Sequence, residues 1–185
     1  MRAFAALVPP LEIVEDLADF LEPRREAGGP RWTRDEHLHL TLAFLPDLAD
    51  ADLDEVSDAI GVAAGRHACA PLQIVGAGAF PDPSAARVLW QGIAPSDDVI
   101  RLAKAVRTAA GGAGTSVDGG PIRPHVTVAR LSRAQDATRY LRVLEGYIGP
   151  FWTPREVTLI ASHLGQGPRR TPRYEVLETF ALATP

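Results

Sequence analysis

The sequence predicts an α+β fold in which antiparallel strands and helices form two lobes around one cleft. Helical and strand-like apolar patterns alternate along all 185 residues, which is typical of this class. Most of the strands are hairpin-linked, so antiparallel pairing is favoured over a doubly wound parallel sheet. A short phrase also occurs twice: "HLHLTLAFL" starts at His37 and "RPHVTVARL" at Arg123, each followed by a helix and two strands. This repetition indicates duplicated halves within a single domain spanning residues 1–185.

The first half contains a strand, a helix, a His-bearing strand and a second helix. The compact apolar run Arg2–Val8 predicts a buried strand, which two prolines end. Apolar residues at helical spacing then predict a helix from residue 11 that closes near Pro23 and Gly28. The first His-bearing strand stops at Pro46. A second helical pattern fills residues 50–68, with acidic residues in its first turn, where the helix dipole favours them.

The second half begins with a predicted hairpin of two strands, Leu72–Phe80 and Arg87–Ile93, joined by a Pro/Ser turn. A helix follows, with Ser96 as its N-cap and Gly111–Gly112 as its end. A Gly-rich loop leads to the second His-bearing strand. The remaining predicted elements are a helix at 133–147 and strands at 151–164 and 173–183.

Composition limits the classes of function. With 46% hydrophobic and 23% charged residues, the chain is predicted to fold rather than to stay disordered. A net charge of −4 argues against a large basic surface for long duplex nucleic acid, although a local basic cleft stays open. The single cysteine, Cys69, excludes an internal disulfide and a cysteine-rich metal site. Because no stretch reaches the roughly 18–20 apolar residues of a membrane helix and the N-terminus is a poor signal peptide, we expect a cytoplasmic protein without membrane contact.

The two His-x-Thr phrases present matching side chains on one face of each strand. Residues two apart on a strand share a face, so each strand is predicted to offer one polar set and to bury an apolar set behind it. In the first strand the polar face holds His37, His39, Thr41 and Ala43, and the buried face holds Leu38, Leu40, Leu42 and Phe44. In the second strand the polar face holds His125, Thr127 and Ala129, and the buried face holds Val126 and Val128. A strand is a rigid platform for an imidazole and a hydroxyl.

Two imidazoles and two hydroxyls suit phosphoryl transfer without a metal. An imidazole has an unperturbed pKa of about 6.5, so near neutral pH one ring can accept a proton while the other donates one. Hydrolysis of a cyclic phosphodiester needs such a pair, because water is deprotonated on one side of phosphorus and the leaving oxygen is protonated on the other. The hydroxyls can bond the non-bridging oxygens, and a nearby arginine can hold the negative charge. We therefore predict neither a metal nor a cofactor.

The paired phrases, the opening "RAFAALVPP", the "RW" before the first phrase and the closing "SHLGQGPRRTPRYEVL" resemble the two-histidine (2H) phosphoesterase superfamily. Within it, the chain is similar to the RNA 2′,3′-cyclic phosphodiesterases, also called 2′-5′ RNA ligases, over essentially its whole length. The resemblance implies two pseudo-symmetric lobes, each an antiparallel sheet with helices on the outside, around a central cleft. It also implies hydrolysis of RNA 2′,3′-cyclic phosphate ends to 2′-phosphate ends, with tRNA fragments or small cyclic nucleotides among the candidate substrates.

The resemblance also implies roles for individual residues. His39 and His125 match the catalytic histidines, with His125 as the base and His39 as the acid, although the residues alone do not fix that order. Thr41 and Thr127 match the partners that bind the substrate phosphate. Arg130 matches an arginine that contacts phosphate just after the second motif.

Arg130 presents a difficulty of strand geometry. It shares the alternation of the buried Val126 and Val128, so a regular strand would aim it away from the cleft. Either the strand bulges or twists at this point, or Arg130 is structural. The first phrase has Phe44 at the same offset, so the two halves are not chemically equivalent.

Further contacts to RNA are predicted around the cleft mouth. Phe44 and Trp32 either stack on a nucleobase or pack in the core. His37 is predicted to be a solvent-exposed spacer. Three arginines flank the loop that follows the last histidine, and they are either solvated or in contact with an RNA backbone: Arg169, Arg170 and Arg173.

Other functions stay open at this level. One keeps the fold but acts on another small cyclic phosphodiester or runs the reverse 2′-5′ ligation. A non-catalytic RNA-end binding module is disfavoured, because neutral imidazoles are poor substitutes for Arg or Lys. A metallohydrolase would need carboxylates on the same strand faces, where His37 is the only further residue of a ligand type. We expect a monomer.

Overall fold

The computed structural model describes residues 1–167 and 171–184. Within these residues the chain forms four α-helices and an eight-stranded sheet. In chain order the elements are β1 (Ala3–Leu7), α1 (Leu11–Glu26), β2 (Arg31–Trp32), β3 (Leu40–Leu45), α2 (Leu53–Gly65), β4 (Gln73–Phe80), β5 (Ala86–Ala94), α3 (Asp97–Gly112), β6 (His125–Gln135), α4 (Thr138–Leu144), β7 (Glu156–His163) and β8 (Arg173–Ala181). All four predicted helices and the predicted hairpin of β4 and β5 are present, and the last two predicted strands, β7 and β8, also pair with each other.

All the strands join one antiparallel sheet in the order β4-β5-β6-β3-β1-β7-β8, with β2 paired to β6. The predicted α+β class and antiparallel pairing are confirmed, and the structure adds that the two halves share one sheet instead of holding a sheet each. They meet where β3 pairs with β6 at a single register position, Leu40 opposite Val126. Further along, β6 pairs with β2 instead. The two His-bearing strands are therefore neighbours at the centre of the sheet.

From the centre outward, the first three strands of each arm correspond, and β8 extends one arm only. β3 is followed by β1 and β7, and β6 is followed by β5 and β4. In the chain, β1 comes before α1 and β3, just as β5 comes before α3 and β6. The outer strand of each arm comes from the other half: β7 follows β6 and α4, and β4 follows β3 and α2. Duplicated halves would give this order, and the duplication itself stays a prediction.

Three local features differ from the sequence prediction. The first His-bearing strand is predicted to include His37 and His39, but residues Asp35–His37 form a 3₁₀ turn and β3 starts only at Leu40, just after His39. Arg31–Trp32, predicted as part of a polar connection, forms β2 and pairs with β6. Residues 133–135 are predicted to be helical, but they extend β6, and α4 starts only at Thr138. Gln135 pairs with Ala86 of β5. Pairing with a neighbouring strand thus overrides the local helical pattern.

The two faces of the sheet are covered differently. On β1, Ala3, Ala5 and Leu7 point into the large core, which the apolar stripes of α1, α2 and α3 complete. Phe4 and Ala6 belong to a second, small cluster, because successive strand residues point to opposite faces. The helices thus cover one face and leave the other for the cleft. In the described part of the chain, no helix has the length and apolar character that a membrane span requires.

Candidate active site

The face of the sheet opposite the main core holds a cleft of about 670 Å³. His39, immediately before β3, and Thr41 on β3 line one side of it. His125, Thr127 and Arg130 line it from β6. The structure therefore brings together all five residues that the sequence predicts as catalytic or phosphate-binding, at the point where the two strands are neighbours.

The two histidines make the same hydrogen bond. Nδ1–H of His39 donates to the carbonyl oxygen of His37 at 2.7 Å, and Nδ1–H of His125 donates to the carbonyl oxygen of Arg123 at 2.6 Å. In both cases the acceptor lies two residues earlier in the chain. Because a carbonyl oxygen only accepts, Nδ1 carries the proton in the neutral ring, and Nε2 is the nitrogen left to exchange a proton in the cleft.

Aromatic rings from distant strands enclose His39. Phe4 of β1 stacks on it with ring centroids 4.6 Å apart and an interplanar angle of 24°. Tyr174 of β8 meets its ring edge-on at 5.6 Å and lies 5.1 Å from the ring of Phe4. Tyr174 also lies 4.3 Å from the ring of His37. His37, predicted as an exposed spacer, is instead half-buried in the wall of the cleft.

The surroundings of His125 are aromatic and cationic. Phe80 meets its ring edge-on at 4.9 Å, and Trp90 lies 5.9 Å away. The guanidinium of Arg123 lies 5.9 Å from the ring centroid of Phe80 and 6.0 Å from that of Trp90. The two histidines therefore share one backbone hydrogen bond pattern but stand in different side-chain environments.

Burial lowers the pKa of both histidines. The pKa of His39 falls from 6.5 to about 4, mainly through burial, while its hydrogen bond to His37 opposes the fall. The charges of His37, His125 and Arg130 lower it further. Burial is also the main cause of the lowered pKa of His125, and Arg130 and Arg123 add to it. Near pH 7 the ring of His39 in the free protein is therefore neutral, and the lowered pKa of His125 favours its neutral form as well.

Each His-bearing strand carries a bulge three residues after its histidine. The extra residue is Leu42 in β3, where the register to β1 shifts, and Val128 in β6, where the register to β5 shifts. A shift of one residue exchanges the faces of everything beyond it. The prediction that Ala43 and Ala129 share the polar face with the histidines is therefore wrong, because both residues are fully buried.

The bulges turn Phe44 and Arg130 into the cleft. Strict alternation predicts Phe44 on the buried face, and this prediction is wrong, because Phe44 lines the cleft under the guanidinium of Arg2 at 4.9 Å. Arg130 likewise lines the cleft, close enough for its charge to lower the pKa of both histidines. The difficulty over the direction of Arg130 is resolved by the bulge. The fifth residue after the histidine is therefore an aromatic ring, Phe44, in the first half and a cation, Arg130, in the second.

Each bulge has its extra carbonyl held by a donor from another element. The carbonyl oxygen of Val128 accepts from the backbone N–H of Thr33 at 2.9 Å. That of Leu42 accepts from Nε of Arg107 on α3 at 3.1 Å. Nη1 of Arg107 also donates to the carbonyl oxygen of Gly120 at 2.6 Å. Arg107 therefore ties the β3 bulge to the loop that leads into β6.

The cleft is basic although the whole chain carries a net charge of −4. Among the described residues that line it, the only carboxylate is that of Asp118, and the arginines are Arg2, Arg31, Arg34, Arg107, Arg123 and Arg130. This charge favours an anionic ligand. Across residues 1–167 and 171–184, no three His, Cys, Asp or Glu side chains cluster so that they could hold a metal ion. Metal independence stays a prediction.

The other predicted RNA contacts have mixed outcomes. Arg173 is exposed and pairs with Glu175 at 3.3 Å, so its contact with RNA stays a prediction. Arg169 and Arg170 lie outside the described residues. Trp32 packs against the main core with its indole Nε1 buried, although part of it lines the cleft.

Sequence reasoning did not single out four residues of this site. Phe4 and Tyr174 reach His39 only because β1, β7 and β8 pair with one another, and no local pattern indicates this. Arg31 and Arg123 do carry a local signal. Arg31 belongs to the "RW" before the first phrase, and Arg123 stands two residues before His125, the position whose carbonyl the second histidine uses.

Comparison with known proteins connects this site to a family. Residues 10–166 match the model of the 2′-5′ RNA ligase superfamily. The RNA 2′,3′-cyclic phosphodiesterase of Escherichia coli K12 is 32% identical over 188 residues, covering 98% of this chain and 96% of that protein. The protein of the same name from Geobacillus stearothermophilus is 31% identical over 153 residues, covering 82% of this chain but 47% of that protein's length.

A solved structure agrees with the sequence matches. The crystal structure of E. coli LigT complexed with 3′-AMP is similar with a TM-score of 0.78 and 27% identity, over 99% of this chain and 98% of that chain. The similarity thus includes both arms of the sheet and both His-bearing strands. The chain belongs to the 2′-5′ RNA ligase superfamily.

Proposed function

We propose that this protein hydrolyses the 2′,3′-cyclic phosphate ends of RNA to 2′-phosphate ends, without a metal ion. The observation that carries the proposal is the matched pair of histidines, each with Nδ1 held by a backbone carbonyl and Nε2 available to one basic cleft. The name RNA 2′,3′-cyclic phosphodiesterase that the relatives bear supports the substrate. The 3′-AMP bound in E. coli LigT supports a nucleotide end as the ligand.

In the proposed mechanism, His125 is the base and His39 is the acid. Nε2 of His125 takes a proton from a water molecule, and the water oxygen forms a bond to phosphorus. The bond between phosphorus and O3′ breaks, and Nε2–H of His39 gives its proton to O3′. The products are a 2′-phosphate and a 3′-hydroxyl, and solvent then resets both rings. Each proton transfer contributes about 10²–10⁴-fold in rate.

Three further residues of the cleft hold the phosphate in this mechanism. The hydroxyls of Thr41 and Thr127 donate to its non-bridging oxygens, and the guanidinium of Arg130 takes the charge that grows on them. Phe44 offers a ring at the edge of the same cleft on which the terminal base can stack. His39 must gain a proton on binding, because its pKa is about 4 in the free protein. This proton comes from solvent, and the bound anion makes its uptake favourable, since a negative charge nearby raises the pKa of an imidazole.

The test is product analysis on an oligonucleotide that ends in a 2′,3′-cyclic phosphate, with a chelator in excess. We expect a 2′-phosphate end, formed at the same rate with and without the chelator. A 3′-phosphate product, or loss of activity in the chelator, would contradict the proposal. Adding an oligonucleotide with a 5′-hydroxyl end tests the reverse 2′-5′ ligation, the second candidate that the superfamily's description favours.

A further inference from the structure

A second arginine lies beside Arg130 on the cleft side of the sheet. β2 pairs with β6 so that Arg31 is directly opposite Arg130, and Trp32 is opposite Ala129. Directly opposed residues of antiparallel strands share a face, with Cβ atoms about 4.5–5.5 Å apart. Ala129 is buried and Trp32 packs against the main core, so the two arginines face the cleft together.

The charges of this pair are not balanced by neighbouring acids. Both arginines are exposed, and among the described residues neither forms a salt bridge. The acidic residues of the segment after β2 are already engaged, since Asp35 pairs with Arg25 and Glu36 pairs with Arg34. Like charges placed directly opposite each other are destabilising. The arrangement therefore costs stability in the free protein and becomes favourable once anionic groups bind.

We propose that Arg31 binds the 5′-phosphate of the terminal nucleotide while Arg130 holds its cyclic phosphate. This inference rests on the proposed function and specifies the substrate further. One ribose separates the two phosphates of a nucleotide, so two opposed side chains of this length reach one phosphate each. An RNA end carries both groups, whereas a nucleoside 2′,3′-cyclic phosphate carries one. Arg31 thus makes the cleft prefer an RNA end over a free cyclic nucleoside phosphate.

The inference is tested with Arg31→Gln and two substrates, adenosine 2′,3′-cyclic phosphate with and without a 5′-phosphate. A hydrogen bond to a charged group is typically worth about tenfold or more in a binding or rate constant. We expect kcat/KM on the 5′-phosphorylated substrate to fall about tenfold or more beyond any fall on the 5′-hydroxyl substrate, which reports only the general attraction of the basic cleft. An equal loss on both substrates, or no loss on either, would overturn the assignment.

The matched control is Arg133→Gln. Arg133 is exposed on the same strand, β6, and is not among the described residues that line the cleft. Arg133→Gln removes the same charge from the protein as Arg31→Gln does, but outside the cleft. The ratio of the two kcat/KM values should therefore stay at the wild-type level. A thermal unfolding curve for each variant checks that the fold is kept.

A binding measurement separates this inference from the proposed function. By calorimetry, the wild type should bind adenosine 2′,5′-bisphosphate about tenfold or more tightly than adenosine 2′-phosphate, and Arg31→Gln should remove the difference. Equal affinities in the wild type would overturn the role of Arg31. If the wild type hydrolyses neither cyclic substrate, the proposed function fails, and the affinity ratio still decides whether Arg31 binds a 5′-phosphate.

Discussion

Binding of an anion in the cleft should draw a proton onto His39. Phe4 and Tyr174 enclose this ring, and burial holds its pKa at about 4 in the free protein. At pH 6 the ring is therefore almost wholly neutral. A general acid must be protonated when it acts, so the proton has to arrive together with the phosphate.

The size of the effect can be worked out from Coulomb's law. Two unit charges about 4 Å apart attract each other by about 4 kcal/mol at an effective dielectric constant of about 20. A shift of one pKa unit corresponds to about 1.4 kcal/mol. An anion hydrogen-bonded to Nε2 therefore raises the pKa of His39 by about three pKa units, to near 7. At pH 6, His39 should therefore hold close to one proton more in the complex than in the free protein.

Calorimetric titration with sulfate measures this uptake. Sulfate resembles a phosphate group and does not titrate near pH 6. The binding enthalpy is measured in buffers of different ionisation enthalpy, and the slope gives the number of protons taken up. We expect the wild type to take up about one proton more than His39→Asn, because any uptake at His125 is common to both proteins. Equal uptake in the two proteins would refute His39 as the acid.

Three other expected outcomes follow from the same site. Because the pKa of His39 is lower in the folded protein than its ordinary 6.5, the unfolded chain binds that proton more tightly, and stability is lost as the pH falls from about 6.5 to about 4. Urea denaturation should show the wild type losing about 3 kcal/mol more than His39→Asn between pH 7 and pH 4, and equal losses would contradict the burial effect. Arg130→Met should lower kcat/KM about 10–100-fold and, since its charge lowers the pKa of both histidines, should move the acid limb of the pH–rate profile to higher pH; an unmoved limb would argue against this coupling. Arg107→Met should lower the free energy of unfolding by about 1–3 kcal/mol, because the carbonyls of Leu42 and Gly120 lose their donor. Lys104→Met, exposed on the same helix, should change it little, and equal changes in the two variants would show that the bulge does not depend on Arg107.

The features that sequence predicts well are local in the chain. His39 and Thr41 lie two residues apart on an extended segment, as do His125 and Thr127, so each pair shares a face whatever the tertiary structure is. The repeat of the phrase also anticipates that the two pairs converge. Their meeting at the centre of one sheet needs only the β3–β6 contact.

The sequence raises a bulge near Arg130 only as one of two possibilities, and neither the residue that bulges nor the bulge in β3 could be predicted, because their cause lies in the partner strands. Leu42 and Val128 are ordinary aliphatic residues, and nothing in the local pattern marks either one as the extra residue of its strand. The register to β1 and β5 decides it. The one sign in the sequence is indirect, since an arginine at position 130 has the alternation of a buried residue.

The enclosure of His39 also depends on long-range pairing. Phe4 and Tyr174 come from opposite ends of the chain, and they meet only because β1 pairs with β7 and β7 with β8. Arg31 reaches Arg130 through β2, a two-residue strand that is too short to show any periodicity. The groups that set the pKa values and the charge of the cleft are therefore tertiary features.

The claim that His39 and His125 act on opposite sides of one phosphorus atom is tested most directly with two substrates of unequal leaving groups. Single-turnover rates are measured for the wild type, His39→Ala and His125→Ala. The substrates are a nucleoside 2′,3′-cyclic phosphate and the 4-nitrophenyl ester of a 3′-deoxynucleoside 2′-phosphate, whose leaving group needs no proton. We predict that both variants lose about 10²–10⁴-fold on the cyclic substrate, and that only His39→Ala regains its rate on the nitrophenyl ester. Near-wild-type hydrolysis of the cyclic substrate by either folded variant would contradict the pairing.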